Sequence, residues 1–269
     1  MENKENFTAV LKRVGGVDYL LSDCADMINN HLKKGEEWEP LTLYLSELLL
    51  DGVDKPVVID VGANLGAYSI PVAKKIKPLD GKVYAYEAQR MVYYQCCANV
   101  FLNNLTNCYV SHLAIGNTEG YIEVPQLDIY TNPNLGALSL DPAIRIQQNV
   151  HIDSIISSER VRIKPLDFLE LPILHLMKID VEGMEYEVIN GAKTLLATSN
   201  FPPVLFEVWG DYMPGMFQKQ QKLLAMLKDT GYEVILMGEL ALAQYAINKK
   251  LNITVNNGKI TVCFLEGQG

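Results

Sequence analysis

The chain lacks any apolar run long enough to span a bilayer, and its polar start, Met1-Glu2-Asn3-Lys4-Glu5-Asn6, has no apolar core of the signal-peptide kind. These absences predict a cytoplasmic protein without a membrane partner. Cysteine is scarce: Cys24, Cys96, Cys97, Cys108 and Cys263 are odd in number and show no zinc-type CxxC spacing. Free thiols in a reducing compartment account for them. Positive charge is also short, since 23 Lys and Arg face 32 Asp and Glu, a formal net charge of −9. Such a molecule repels nucleic acid, so a small molecule is the expected partner. Of the four histidines, His112 and His175 fall in predicted strands, where packing or hydrogen bonding explains them, while His31 and His151 have no recognisable partner. Internal repeats, low-complexity stretches and an evident linker are missing as well.

What is present suits one enzyme-sized α/β domain: 269 residues, 49% of them hydrophobic, with strand-like runs alternating with helical patterns. Strands are expected at 57–61, 82–87, 108–114, 175–180, 204–208, 233–237 and 260–265, with crossover helices at 67–75 and 91–102. Residues 251–255 and 260–265 flank Asn256-Asn257-Gly258-Lys259, a hairpin signal that predicts an antiparallel edge. Residues 1–55, with the stripe Leu41, Leu45, Leu48 and Leu49, read as a mainly helical cap or lid ahead of a domain at 56–269. Residues 115–174 exceed one crossover and predict an insertion, with short strands at 121–124 and 160–163 and a turn-rich stretch at 128–140 that includes a turn at Asn132-Pro133-Asn134. Asp167 is expected to cap a helix beginning near Phe168.

The most informative segment is Val57-Val58-Ile59-Asp60-Val61-Gly62-Ala63-Asn64-Leu65-Gly66, a buried-strand pattern opening into a glycine-spaced turn. A carboxylate there opposes dinucleotide phosphates, whereas the cationic end of S-adenosylmethionine tolerates it. Glu87 closes the second predicted strand, where an acid reaches ribose hydroxyls. An NAD-dependent Rossmann oxidoreductase uses the same device and stays the alternative enzyme, although Gly62-Ala63-Asn64-Leu65-Gly66-Ala67 matches GxGxxG poorly. The third signal, Lys178-Ile179-Asp180-Val181-Glu182-Gly183-Met184-Glu185, places Asp180 at a strand end near a reacting methyl. Glu182 and Glu185 either serve the site or favour the helix dipole. Glu207 closes the next strand. Asp180, ranked first, Glu182 or Glu207 is the candidate general base, while Asp180 with Glu207 is the alternative divalent-metal pair, for which no third ligand is identifiable.

These residues resemble the FkbM family of S-adenosylmethionine-dependent methyltransferases over roughly residues 57–209. The carrying motifs are Ile59 through Gly66, Tyr86-Glu87, Leu113-Ala114-Ile115-Gly116 and Lys178 through Glu185 followed by Gly191-Ala192. The resemblance implies a class I methyltransferase fold, a mostly parallel seven-stranded sheet whose last strand is antiparallel, and O-methylation of a sugar or natural-product hydroxyl. It implies Asp60, Gly62, Asn64 and Gly66 around the methionine portion of the cofactor, Glu87 on its ribose and Ala114 near its adenine. Met184 stands where the family commonly has histidine, so no imidazole chemistry is expected there. A nonenzymatic S-adenosylmethionine-binding protein is the reading from a different class.

Overall fold

A computed structural model describes residues 8–23, 26–127, 136–148, 155–210 and 212–265. Cys24, His151, the Asn132-Pro133-Asn134 turn and most of the 128–140 stretch lie outside the described residues. The amino-terminal segment departs from the helical expectation. Ala9–Val14 (β1) and Val17–Ser22 (β2) pair antiparallel around Gly15 and Gly16, whose φ values of 55° and 77° make the tight hairpin turn that glycine admits. Helices follow at Met27–Lys33 (α1) and Pro40–Leu50 (α2), and α2 buries Leu45 and Leu49 while Leu41 and Leu48 pack partly buried against the same core.

Val57–Val61 (β3) is buried at every position, as a strand covered on both faces must be. Ser69–Ile76 (α3) crosses to Lys82–Glu87 (β4), and Arg90–Leu102 (α4) to Cys108–His112 (β5). The expected strand at 108–114 is broken after His112. Ala114–Ile115 (β6) instead joins a separate three-stranded sheet with Gly120–Leu127 (β7) and Ile155–Lys164 (β8), in the order β6-β8-β7, with helix Pro142–Gln148 (α5) between the last two in sequence. Most of this sheet lies within residues 115–174. The main sheet resumes with Leu176–Ile179 (β9), helices Glu185–Asn190 (α6) and Lys193–Thr198 (α7), and Val204–Glu207 (β10). It ends with Pro214–Thr230 (α8), Tyr232–Met237 (β11) and Leu240–Tyr245 (β12).

Seven strands lie in the order β11-β12-β10-β9-β3-β4-β5, parallel except for β12, which runs antiparallel to both neighbours. This is the class I methyltransferase sheet. The reversed strand, however, is β12 rather than the carboxy-terminal pair. Leu251–Asn256 (β13) and Lys259–Phe264 (β14) form their own hairpin through Asn257 and Gly258, both at positive φ. Strand alternation splits the core: Val58, Val83, Leu176, Leu205 and Leu242 face α2 and α3, and Ile59, Met177, Phe206 and Ala243 face the cluster containing Val188, Leu195 and Leu223. Asp167 caps a helix, but that helix is α7, whose Thr194 and Leu195 amides donate to its carboxylate at 3.0 and 2.8 Å. His112 and His175 serve packing: His112 stacks on Tyr93 and bonds Ala88 O at 2.9 Å, and His175 Nδ1 accepts from Val57 N at 3.1 Å.

Candidate active site

The carboxyl ends of β3, β4, β9 and β10 open on a cavity of about 640 Å³. The amino-terminal segment walls it with Trp38, Glu39 and Thr42, and the insertion with Gly136, Leu138 and Leu140. A ligand site at this edge is what an open parallel sheet provides.

After β3 the chain turns sharply. Gly62, at φ 83°, and Ala63 both donate their amides to Tyr86 O at 3.0 Å. A Cβ on Gly62 would lie 1.8 Å from Asp180 O, so a side chain there would drive the first turn off the loop after β9. Asn64, also at positive φ, donates its amide to Glu87 Oε2 at 2.8 Å, and its own Oδ1 accepts from Leu65 N at 2.7 Å. Gly62, Asn64, Glu87 and Ala114 line the cavity; Asp60 and Gly66 do not. Gly66 is a packing position, because a Cβ there would meet Ile70 Cδ1 at 2.7 Å and Cys96 Sγ at 3.2 Å.

Asp60 stands one layer behind the cavity. Alternation along β3 turns it to the α3 face, where it is fully buried and accepts from Ser69 Oγ at 2.5 Å. Its cross-strand neighbour is Lys178, with Nζ 3.9 Å from Oδ1. Burial lifts the Asp60 carboxyl above its usual range, and Lys178 pulls it back. Glu87 holds two backbone amides, Asn64 N and Gln89 N, the latter at 2.7 Å, yet burial outweighs them and pushes its pKa up to about 7. Leu113, Ala114, Ile115 and Val124 supply apolar wall beside it. One carboxyl group, Glu87, beside this apolar wall has the chemistry to fit the ribose and purine of S-adenosylmethionine.

Asp180, Glu182 and Glu207 converge, with carboxylate oxygens all within 4.8 Å of one another. Glu182 adopts φ 54° and Gly183 φ 95°, a strained turn that delivers Glu182 to the cavity. Glu185 does not line it. Its Oε1 accepts from Val181 N and Gly183 N, each at 3.2 Å, making it a buried brace for that turn, and burial pushes its pKa up to about 7. Burial and the Asp180, Glu182 and Glu185 carboxylates push Glu207 well above the carboxylate range. Its buried Oε2 has no hydrogen-bond partner among the described residues, nor has Nε1 of Trp209.

The residue with no role read from sequence is Lys178. Its ammonium lies 2.9 Å from Asp180 Oδ2 and is 8% exposed. Burial alone would lower its pKa, but Asp180, Glu39 and Asp60 carry it well above the usual lysine value. A lysine inside the buried run Leu176-Met177-Lys178-Ile179 was the signal. Glu39, at φ 47° on the amino-terminal end of α2, had none. For a divalent cation, Glu182 supplies the oxygen donor that sequence could not find, although Lys178 already sits against Asp180.

The methyltransferase FkbM domain profile matches residues 60–234. Among curated proteins, none matches this chain. Similar solved structures include a methyltransferase FkbM from Methylobacillus flagellatus KT, at 16% identity and TM-score 0.43, covering 73% of this chain and 47% of that one, so the match spans about half of its length. A putative caffeoyl-CoA O-methyltransferase from Staphylococcus aureus aligns at 12% identity and TM-score 0.47, over 79% of this chain and 87% of that one. A putative methyltransferase from Streptococcus mutans, in complex with SAH, aligns at 12% identity and TM-score 0.42, over 77% and 97%.

Proposed function

Because this chain belongs to the methyltransferase FkbM domain family, we propose that it transfers a methyl group from S-adenosylmethionine to a hydroxyl of a small acceptor. The observation that carries the hydroxyl is the pair of unpartnered buried atoms, Glu207 Oε2 and Trp209 Nε1. A hydroxyl both donates and accepts, so it suits either atom. When bound, S-adenosylmethionine supplies an electrophilic methyl on a sulfonium. The chain's part is to hold the nucleophile in line, exclude water and take one proton.

Glu87 receives the ribose, Ala114 walls the adenine, and Gly62 and Asn64 shape the turn around the methionine portion. Asp60 and Gly66 act from behind, through Lys178 and through packing. Asp180, fixed by its 2.9 Å bond from Lys178, is the general base, and Glu182 and Glu207 orient the acceptor beside it. Lys178 also supplies positive charge where a metal would otherwise be needed, so activity is expected without added magnesium. Residues 27–42 act as a lid on the cavity.

Calorimetry with S-adenosylhomocysteine, run beside NAD and with magnesium or EDTA, tests the cofactor. Binding of the homocysteine compound alone supports the reading, and preference for NAD replaces it with an oxidoreductase. Asp180→Asn should keep that affinity within about threefold and lose about 10²-fold or more in turnover. Unchanged turnover would remove Asp180 as the base, and cofactor binding without turnover on any hydroxylated acceptor would leave a nonenzymatic binding protein.

A further inference from the structure

The wall that the insertion adds to the cavity consists of Gly136, Ala137, Leu138 and Leu140. The backbone of Gly136 packs so closely on the cofactor turn that a Cβ there would lie 2.0 Å from Asn64 Nδ2. This stretch is tied to the start of α5, since Asp141 N donates to Ser139 Oγ and Arg145 Nη1 to Ser139 O, each at 3.2 Å. Helix α5 in turn covers the other half of the site. Ile144 is 2% exposed and, with Met216 of α8, closes on Gly183, where a Cβ would meet Met216 Cε at 3.1 Å and Ile144 Cγ1 at 3.5 Å. One short segment therefore touches both the glycine turn after β3 and the turn that delivers Glu182.

The anchor of that segment lies outside the cavity. Lys219 of α8 places Nζ 2.5 Å from Asp141 Oδ2 and 3.0 Å from Glu187 Oε1 of α6, and none of the three side chains is more than 22% exposed. Solvent screens such a triad less than a fully exposed pair. Burial opposes charge on both partners, yet Lys219 holds Asp141 below the usual carboxylate range, and Asp141 and Glu187 carry Lys219 above the usual lysine value. Gln147 adds a second tie, accepting from Gly215 N in the first turn of α8 at 2.8 Å. The two carboxylates bonded to Lys219 differ in what they join. Glu187 sits on α6, which packs on α8, so its bond links two helices of the main domain. Asp141 belongs to the insertion, so its bond links the cavity wall to that domain.

We infer that Lys219 is a positioning residue for the methyl transfer, holding residues 136–148 through Asp141 against the turns at Asn64 and Gly183. This rests on the methyltransferase reading and adds to it a residue that lies off the cavity. Loss of the Asp141 bond lets the wall leave Asn64, and the apparent affinity for the cofactor falls with the fraction of molecules whose wall is in place.

The test is calorimetry with S-adenosylhomocysteine on the full chain and its variants, under conditions where circular dichroism shows each one folded. Lys219→Met and Asp141→Asn should each bind about fivefold more weakly, whereas Glu187→Gln should stay within about twofold of wild type although it too loses a bond to Lys219. Asp141→Asn keeps the Oδ1 that accepts from Ala143 N at 2.8 Å, so the start of α5 stays capped. Lys219→Arg keeps both ion pairs and should bind as wild type does. A merely structural triad would instead give affinities that follow each variant's urea midpoint. Equal losses in Asp141→Asn and Glu187→Gln, no loss in Asp141→Asn, or a Lys219→Arg protein as weak as Lys219→Met overturns the inference. Should Lys219→Met fail to fold, the comparison of Asp141→Asn with Glu187→Gln decides alone. Failure of the wild-type chain to bind S-adenosylhomocysteine would sink the methyltransferase reading itself, so the two failures are separable.

Discussion

Asp60 and Lys178 show how a residue can be legible as important and still be misplaced in role. The acid near the end of β3 marked the site, but the two-residue period of that strand turns its side chain away from the cavity and onto Lys178 of the neighbouring strand. With Asp60 fully buried and Lys178 nearly so, removing one partner leaves an uncompensated charge inside the fold. Lys178→Met should therefore cost about 3–5 kcal/mol in urea unfolding, and adding Asp60→Leu to it should recover a large part of that loss. A double variant as unstable as the sum of the singles would mean that the two groups act independently. Gly62→Ala is a different kind of lesion. The new Cβ would sit 1.8 Å from Asp180 O at a φ of 83°, so the first turn and the loop after β9 must separate, and S-adenosylhomocysteine affinity should fall at least tenfold even where the variant folds. Wild-type affinity in folded Gly62→Ala would show that the two loops move freely.

At the scale of elements, the turn between β9 and α6 is held by a titratable brace. Glu185 accepts two amides of the turn from a buried position, with a pKa near 7 against an ordinary 4.5. The folded form binds that proton more tightly than the unfolded chain does, so the contribution is full below about pH 4.5 and is lost as pH rises through about 7. Glu185→Gln keeps an acceptor for both amides and removes the titration. Its stability relative to wild type should rise by about 2–3 kcal/mol between pH 5 and pH 8 in urea midpoints, and a pH-independent difference would show that Glu185 is ionised throughout. The parallel strands were readable because each is an apolar run closed by an acid or followed by a turn. β12 was not, since Leu240-Ala241-Leu242-Ala243-Gln244-Tyr245 is rich in alanine, a weak strand former, and gains its place by pairing between β10 and β11. The β1–β2 hairpin was readable in principle, because Gly15-Gly16 between two runs that contain Val and Leu is a hairpin signal. In the site, Asp180, Glu182 and Glu207 stood at predictable strand ends, whereas Glu39 comes from a helix start more than a hundred residues away in sequence, and no local pattern brings it in.

At the scale of the whole molecule, the cavity is closed from outside the sheet, and one buried side chain ties that closure to the cofactor turn. Asn99 on α4 accepts from Leu20 N of β2 at 2.6 Å and donates to Leu65 O of the glycine turn at 3.0 Å, so the hairpin, the helix and the turn share one anchor. Gln95 adds a bond to Leu20 O at 2.9 Å, and Asn103 exchanges two with Asp18. Order imposed on the turn by a bound cofactor should therefore travel outward through Asn99 into the hairpin and, beyond it, the segment carrying Trp38 and Glu39. Amide exchange with and without S-adenosylhomocysteine should show protection at 60–66 accompanied by protection at 17–22 and 36–42. Asn99→Ala leaves two backbone groups without their partner, which should cost about 2–4 kcal/mol and confine the protection to the turn. If protection reaches the amino-terminal segment equally in both proteins, the lid is coupled by its direct contacts with the cavity and not through Asn99. If it never reaches the segment in wild type, residues 27–42 are a fixed wall and the acceptor must enter from the side of the insertion.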